Sequence, residues 1–270
     1  MGQIVQPGDY YEKYMGLVYY KIIKANGIKK IDNVVEFAPG FRCKIAYALK
    51  KLNFDGNIYI IDSNANALEF VYQKYRSILP KAKIILVNKD ISESISLLPK
   101  KATLFLANHC IDDMIISKYL NGKKLKKAFD NTDESKKILL ECWNELREDS
   151  DNLLKIREHV YDDLINFFEK IDFDLIVMSQ YKSAYYMKQK NYVEELSKVI
   201  FDQLKLNINT DLNILKAALN FDFKDFGVAL NEGFSLKQNI QFYDNWIAGK
   251  YVNNNINKDT TDLKWLVVFF

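Results

Sequence analysis

A chain of 270 residues, 49% apolar and 14% aromatic, can bury a sizeable core without staples and suits one large domain, with or without an inserted cap. Its 38 basic and 35 acidic side chains leave a net charge of +3, too near balance to call for nucleic acid as the partner. Cys43, Cys110 and Cys142, odd in number and far apart, argue against a disulfide framework or a metal site, and without a cationic-then-apolar leader or a membrane-length apolar run a soluble, cytoplasmic protein is expected.

The first 30 residues carry Tyr10, Tyr11, Tyr14, Tyr19 and Tyr20 and predict a helical cap segment. From there a strand–helix alternation sets in. Strands are expected at 33–38, 56–62, 82–88, 102–108 and 173–179, each a nearly continuous apolar run of the kind that a sheet covered on both faces requires. Helices fall between them: Ile45, Ala48, Leu49 and Leu52 repeat at helical spacing, as do Leu68, Val71, Tyr72 and Tyr75, with Pro80 as a stop. Residues 113–170 read as wholly helical, about twice what a crossover needs, and are either a helical insertion above the strand ends or two packed crossover helices. The basic run at Lys123–Lys127 is a solvated face or a phosphate contact. Helices are also expected at 192–204 and 212–221, a loop at 253–257, and a closing strand in 265–270 that inserts antiparallel. The fold class is therefore α/β, a doubly wound, mostly parallel seven-stranded sheet over 31–270 with an insertion at about 113–170.

Within this order, residues 33–62 form one βαβ unit. Its first strand ends in Glu36-Phe37-Ala38-Pro39-Gly40, a turn that lets backbone approach a ligand. The second stops at Asp62, about 20 residues beyond Gly40, where a carboxylate grips ribose hydroxyls in nucleoside-binding half-folds. An adenosine-type cofactor follows.

The acidic exit of the first strand, Asp62, the polar exit Asn108-His109 and the closing strand together resemble the Rossmann-like (class I) S-adenosylmethionine-dependent methyltransferase superfamily. The resemblance covers 33–181 and extends to the last strand; it implies S-adenosyl-L-methionine as cofactor. It implies that Glu36, Ala38, Gly40 and Arg42 lie under its methionine part, with Arg42 either pairing the carboxylate or bridging to Glu36 or a neighbouring helix. Asp62 would take the ribose diol, Asp90 and Ile91 the adenine, and Asn108 and His109 would face the transferred group. Two features depart from the superfamily pattern. The first loop has one glycine instead of two or three, and Asn108-His109-Cys110-Ile111 differs from the loop of amino-methylating nucleic-acid enzymes.

Methyl transfer is an in-line displacement that needs alignment, water exclusion and, for an acceptor with a proton to lose, a base. His109 is the catalytic candidate, since histidine titrates near neutrality; its other reading is a histidine bonded to Asp112 or Asp113, of which Asp113 is expected to cap the next helix. Tyr10, Tyr11, Tyr14, Tyr181 and Trp246 are candidates for an acceptor wall, or are core aromatics. A small-molecule acceptor is expected, with no membrane partner. The alternatives are an aminopropyl or aminocarboxypropyl transferase on the same cofactor and a non-catalytic binding protein.

Overall fold

The computed structural model describes residues 7–130, 132–181 and 263–269. Helix α1 (Pro7–Ala25) precedes an alternation of β1 (Asn33–Phe37), α2 (Lys44–Lys51), β2 (Asn57–Ile61), α3 (Ala65–Ile78), β3 (Lys83–Val87), a short α4 (Ile91–Ser94) and β4 (Lys101–Asn108). Four helices follow before the chain returns to the sheet: α5 (Ile111–Tyr119), α6 (Gly122–Ala128), α7 (Asp133–Glu148) and α8 (Ser150–Lys170). β5 (Asp172–Tyr181) and β6 (Leu263–Phe269) complete the described elements.

The strands lie in the order β3-β2-β1-β4-β5-β6. The first five are parallel, and β6 pairs antiparallel with β5, from Leu175 opposite Phe269 to Tyr181 opposite Leu263. This is the doubly wound α/β sheet expected, with six strands described; the expectation of a seventh rests on residues outside the described ones. The expected helices at 192–204 and 212–221 and the loop at 253–257 lie outside them too.

Alternation along the strands sorts the two faces. Val34, Ile58, Ile60, Leu104, Leu106, Leu175 and Val177 point toward α1, α2 and α3, while Val35, Phe37, Ile61, Phe105, Ala107, Ile176 and Met178 point toward the later helices. Because every one of these positions is buried, the strands read as continuous apolar runs in the sequence. On the second face Phe105 meets Phe167, Phe168 and Phe173 at ring-centroid distances of 5.5, 5.0 and 5.5 Å, which fastens α8 to the sheet.

Local chemistry sets the helix ends. The Asn64 side chain caps α3 by accepting from the N–H groups of Asn66 and Ala67. Thr132 and Ser135 form a reciprocal capping box at the start of α7, a sharp boundary inside the segment that reads as wholly helical in sequence. Among the described residues no helix is long and apolar enough to cross a membrane.

The strand order reverses between β1 and β4, which are parallel, hydrogen-bonded neighbours. In open α/β sheets a crevice forms outside the carboxyl ends of the strands at such a switch point. The loops leaving β1, β2 and β4 all open there.

Candidate active site

A cavity of about 540 Å³ occupies that crevice, within the range of roughly 300–1,000 Å³ usual for small-molecule sites. Its floor is the β1 exit from Phe37 to Arg42 with Lys44; Asp62–Asn64 and Lys89–Ile91 form one side, and Asn108, His109, Cys110, Asp112 and Asp113 the other. The far wall comes from the four helices after β4, through Met114, Ser117, Leu125, Phe129, Thr132 and Leu139. The long helical segment thus builds one side of the cavity.

Asp62 organises the floor. It is 8% exposed, and its two carboxylate oxygens accept from the N–H of Gly40 at 3.0 Å and of Asn64 at 2.8 Å. Burial pushes its pKa up, against the pull of those two bonds. A carboxylate offers about four lone-pair sites, so two remain for hydroxyl donors in the cavity. Asn88 steadies the same loop by donating to the carbonyls of Asp62 and Ser63.

Among the described residues three non-glycine positions have positive φ, and two of them line this cavity: Ala38 at 52° and His109 at 60°. Gly40, at 55°, adopts the same conformation without a side-chain penalty. Ala38 is held there by its N–H bond to the Ile61 carbonyl at 2.8 Å. Left-handed backbone in residues other than glycine costs energy and concentrates at functional loops.

Of the residues named from sequence, Ala38, Gly40, Arg42, Asp62, Asp90, Ile91, Asn108 and His109 all line the cavity. Glu36 does not. It points to the opposite face of the sheet, is 3% exposed, and accepts a hydrogen bond from the Tyr75 hydroxyl. Strand alternation explains this: Phe37 faces the later helices, so its neighbour must face α3. Burial pushes the Glu36 carboxyl up to about 8. Arg42 pairs with Glu12 of α1 at 3.7 Å, the neighbouring-helix partner among the options open from sequence. Asp90 lines the cavity while one of its oxygens caps α4 through the Glu93 N–H.

His109 is 8% exposed, and burial together with Lys44 holds its pKa well below the usual value, so the ring is uncharged at neutral pH. Asp112 and Asp113 lie in the first turn of α5, but the N-cap position is Cys110, which makes no side-chain cap bond. Asp113 therefore does not cap that helix. Its pKa is raised well above the ordinary carboxyl value by burial and by Asp112. The three cysteines are buried and none is in a disulfide. Tyr10, Tyr11 and Tyr14 lie on α1, and Tyr181 ends β5; Trp246 lies outside the described residues.

Lys44 went unread from sequence. It is the first residue of α2, is 8% exposed, lines the cavity, and donates from Nζ to Oδ1 of Asn108. The signal was there: Lys44 sits four residues before Ala48, on the stripe that α2 buries. Burial, reinforced by Arg42, pushes its pKa down to about 7.

No family model matches the chain, and no curated protein does. Solved structures of similar shape include a SAM-dependent methyltransferase from Aquifex aeolicus at 10% identity and TM-score 0.39, over 68% of this chain and 77% of that one. The plantazolicin methyltransferase BpumL in complex with SAH matches at 12% identity and TM-score 0.39, over 98% of this chain and 85% of its own. An rRNA methylase from Streptococcus thermophilus matches at 12% and 0.36, over 78% and 83%. At such identities and scores the likenesses assign neither activity nor acceptor to this chain.

Proposed function

We propose that the chain binds S-adenosyl-L-methionine in this cavity and transfers its methyl group to a small-molecule acceptor. The carrying observation is Asp62. A buried carboxylate with spare acceptor capacity stands at the β2 exit and is tied by backbone to the β1 loop that forms the floor. That arrangement suits a ribose diol beside a nucleoside's extended tail. Asp90 and Ile91 stand where an adenine edge would lie, and Arg42 remains about half exposed at the floor, within reach of a carboxylate.

A bound sulfonium supplies an activated methyl group whose leaving sulfur needs no acid. The chain's own work is then alignment and dryness. Asn108 and His109 line the cavity at the β4 exit, and the apolar side chains of Leu125, Phe129 and Leu139 exclude water from the far side. An uncharged His109 ring can accept a hydrogen bond from an incoming nucleophile. Enclosure by α5–α7 favours a small acceptor over a nucleic acid, and we read residues 31–270 as one unit carrying the insertion at about 113–170, with residues 1–30 as a helical cap segment.

The test is a thermal-shift comparison of adenosylmethionine, adenosylhomocysteine, methylthioadenosine and NAD on the full chain. Stabilisation by the first two supports the reading. Stabilisation by NAD alone, or by none, overturns it. Product analysis separates methyl transfer, which leaves adenosylhomocysteine, from aminopropyl transfer, which leaves methylthioadenosine.

A further inference from the structure

Lys44 occupies an unusual place. A lysine ammonium in the first turn of a helix lies against that helix's partial positive charge, and burial strips its hydration as well. A lysine at such a position ordinarily extends into water. This one runs from the β1 loop across the switch point, and its Nζ is fixed by Asn108 at the end of β4. Charged and titratable groups face it from every side: Arg42 in its own loop, Glu12 on α1, Glu36 on β1, Asp113 on α5 and His109 at the β4 exit. Hence a nitrogen that can hold or release a proton is anchored in the cavity wall where the β1 and β4 loops meet.

Resting on the reading that this cavity takes adenosylmethionine, we propose that Lys44, rather than His109, receives the proton from an acceptor whose nucleophile is an N–H or O–H group. The nucleophile's lone pair forms the new bond to the methyl carbon, and the electron pair of the breaking carbon–sulfur bond goes to sulfur, which loses its positive charge. The displaced proton passes to Lys44 Nζ and from there to solvent at the cavity mouth. Asn108 is the positioning residue, since its Oδ1 aims the nitrogen. The choice between the two bases starts from geometry, since Asn108 fixes the Lys44 nitrogen in the cavity wall, and matching agrees with it. A base works best when its pKa lies near the working pH. His109 is held well below its usual range and binds a proton poorly, whereas Lys44 at about 7 is poised to accept and release one.

Competitive acetylation with acetic anhydride from pH 5 to 10, followed by peptide mapping of the full chain, reads the lysine directly. At neutral pH its uncharged fraction should exceed that of a lysine with an ordinary pKa of about 10.4 by roughly a thousandfold. Adenosylhomocysteine should slow its labelling. In transfer from labelled adenosylmethionine to a panel of small amines and phenols, Lys44→Met should lower kcat by about 100-fold or more. The same variant should lose the limb of the pH profile near 7 while binding adenosylhomocysteine as before. If adenosylhomocysteine binds but Lys44 labels like a surface lysine or not at all, or if Lys44→Met keeps the limb, the proposal falls and the methyltransferase reading stands. If adenosylhomocysteine neither stabilises the chain nor shields Lys44, both fall. The labelling arm uses the unaltered protein, so it decides even where the variant does not fold.

Discussion

Gly16 of α1 lies against the backbone of Lys44: a Cβ added to Gly16 would sit 2.8 Å from the Lys44 carbonyl oxygen and 2.6 Å from the Cβ of Tyr47. The two helices therefore touch backbone to backbone at the point where α2 begins and the cavity floor ends. Nearby, the Tyr19 hydroxyl donates to the Ala107 carbonyl at 2.6 Å, so α1 grips both α2 and β4. The first helix reaches the site through the elements it holds.

Replacing Gly16 with alanine sets two effects against each other. Helix propensity favours alanine by up to about 1 kcal/mol. Overpacking against rigid backbone costs about 1–3 kcal/mol, and the atoms met here are backbone and Cβ, which cannot swing away. Overpacking should win. Gly16→Ala is expected to lower the melting temperature and, by shifting the first turn of α2, to weaken adenosylhomocysteine binding in calorimetry.

Asp62→Ala removes the carboxylate that accepts from Gly40 and Asn64. Leaving those loop N–H groups without it should cost about 1–3 kcal/mol, an amount the sheet can absorb. Circular dichroism should stay native while the thermal shift with adenosylmethionine disappears. A variant that keeps its full shift would remove Asp62 from the ribose.

His109→Asn keeps a residue that tolerates positive φ while deleting the ring. Turnover should fall far more than cofactor affinity. The variant also has a pH signature. Because the folded pKa is depressed, the unfolded chain takes up a proton below its own value of about 6.5 while the folded one does not, so the wild type loses stability as pH falls through that point. Denaturant titrations at pH 5 and 7 should show a smaller difference in the variant.

Glu36 has the opposite sign. Its carboxyl rises from 4.5 to about 8 on folding, chiefly through burial, so the folded state holds a proton that the unfolded state has released. Its contribution is complete below 4.5 and is lost as pH climbs toward 8, with a slope of at most ~1.4 kcal/mol per pH unit. Glu36→Gln keeps an acceptor for the Tyr75 hydroxyl and should flatten that decline. Lys44, depressed to about 7, opposes it above neutrality, so the comparison is best made between pH 5 and 7.

The strands were legible because apolar residues dominate each run between turns: 33–38, 56–62 and 82–88 became Asn33–Phe37, Asn57–Ile61 and Lys83–Val87, although β3 at the sheet edge leaves Lys83 and Leu86 exposed. Loop exits were legible for a related reason, since a polar residue ending such a run has to face the crevice. What a one-dimensional pattern hides is which side of a strand a residue faces when both sides are buried. That is why Glu36, inside β1, was placed in the cavity although it lies beneath the sheet. Lys44 escaped for the complementary reason: a lysine beside apolar helix positions reads as a solvated end until the packing of α1 over α2 closes that end off. The boundary at Thr132–Ser135 rests on hydroxyl bonds to backbone, which apolar spacing does not register.

The four helices after β4 leave and rejoin the sheet through two strands that are hydrogen-bonded neighbours, in register from Lys101 opposite Asp172 to Asn108 opposite Ser179. The segment between those strands covers one face of the sheet as well as walling the cavity, since Phe167 and Phe168 of α8 pack on Phe105 of β4. It also touches the opposite side of the crevice, where the Asn64 side chain donates to the Phe129 carbonyl, so a graft at this junction would reach the loop that carries Asp62 as well as the far wall.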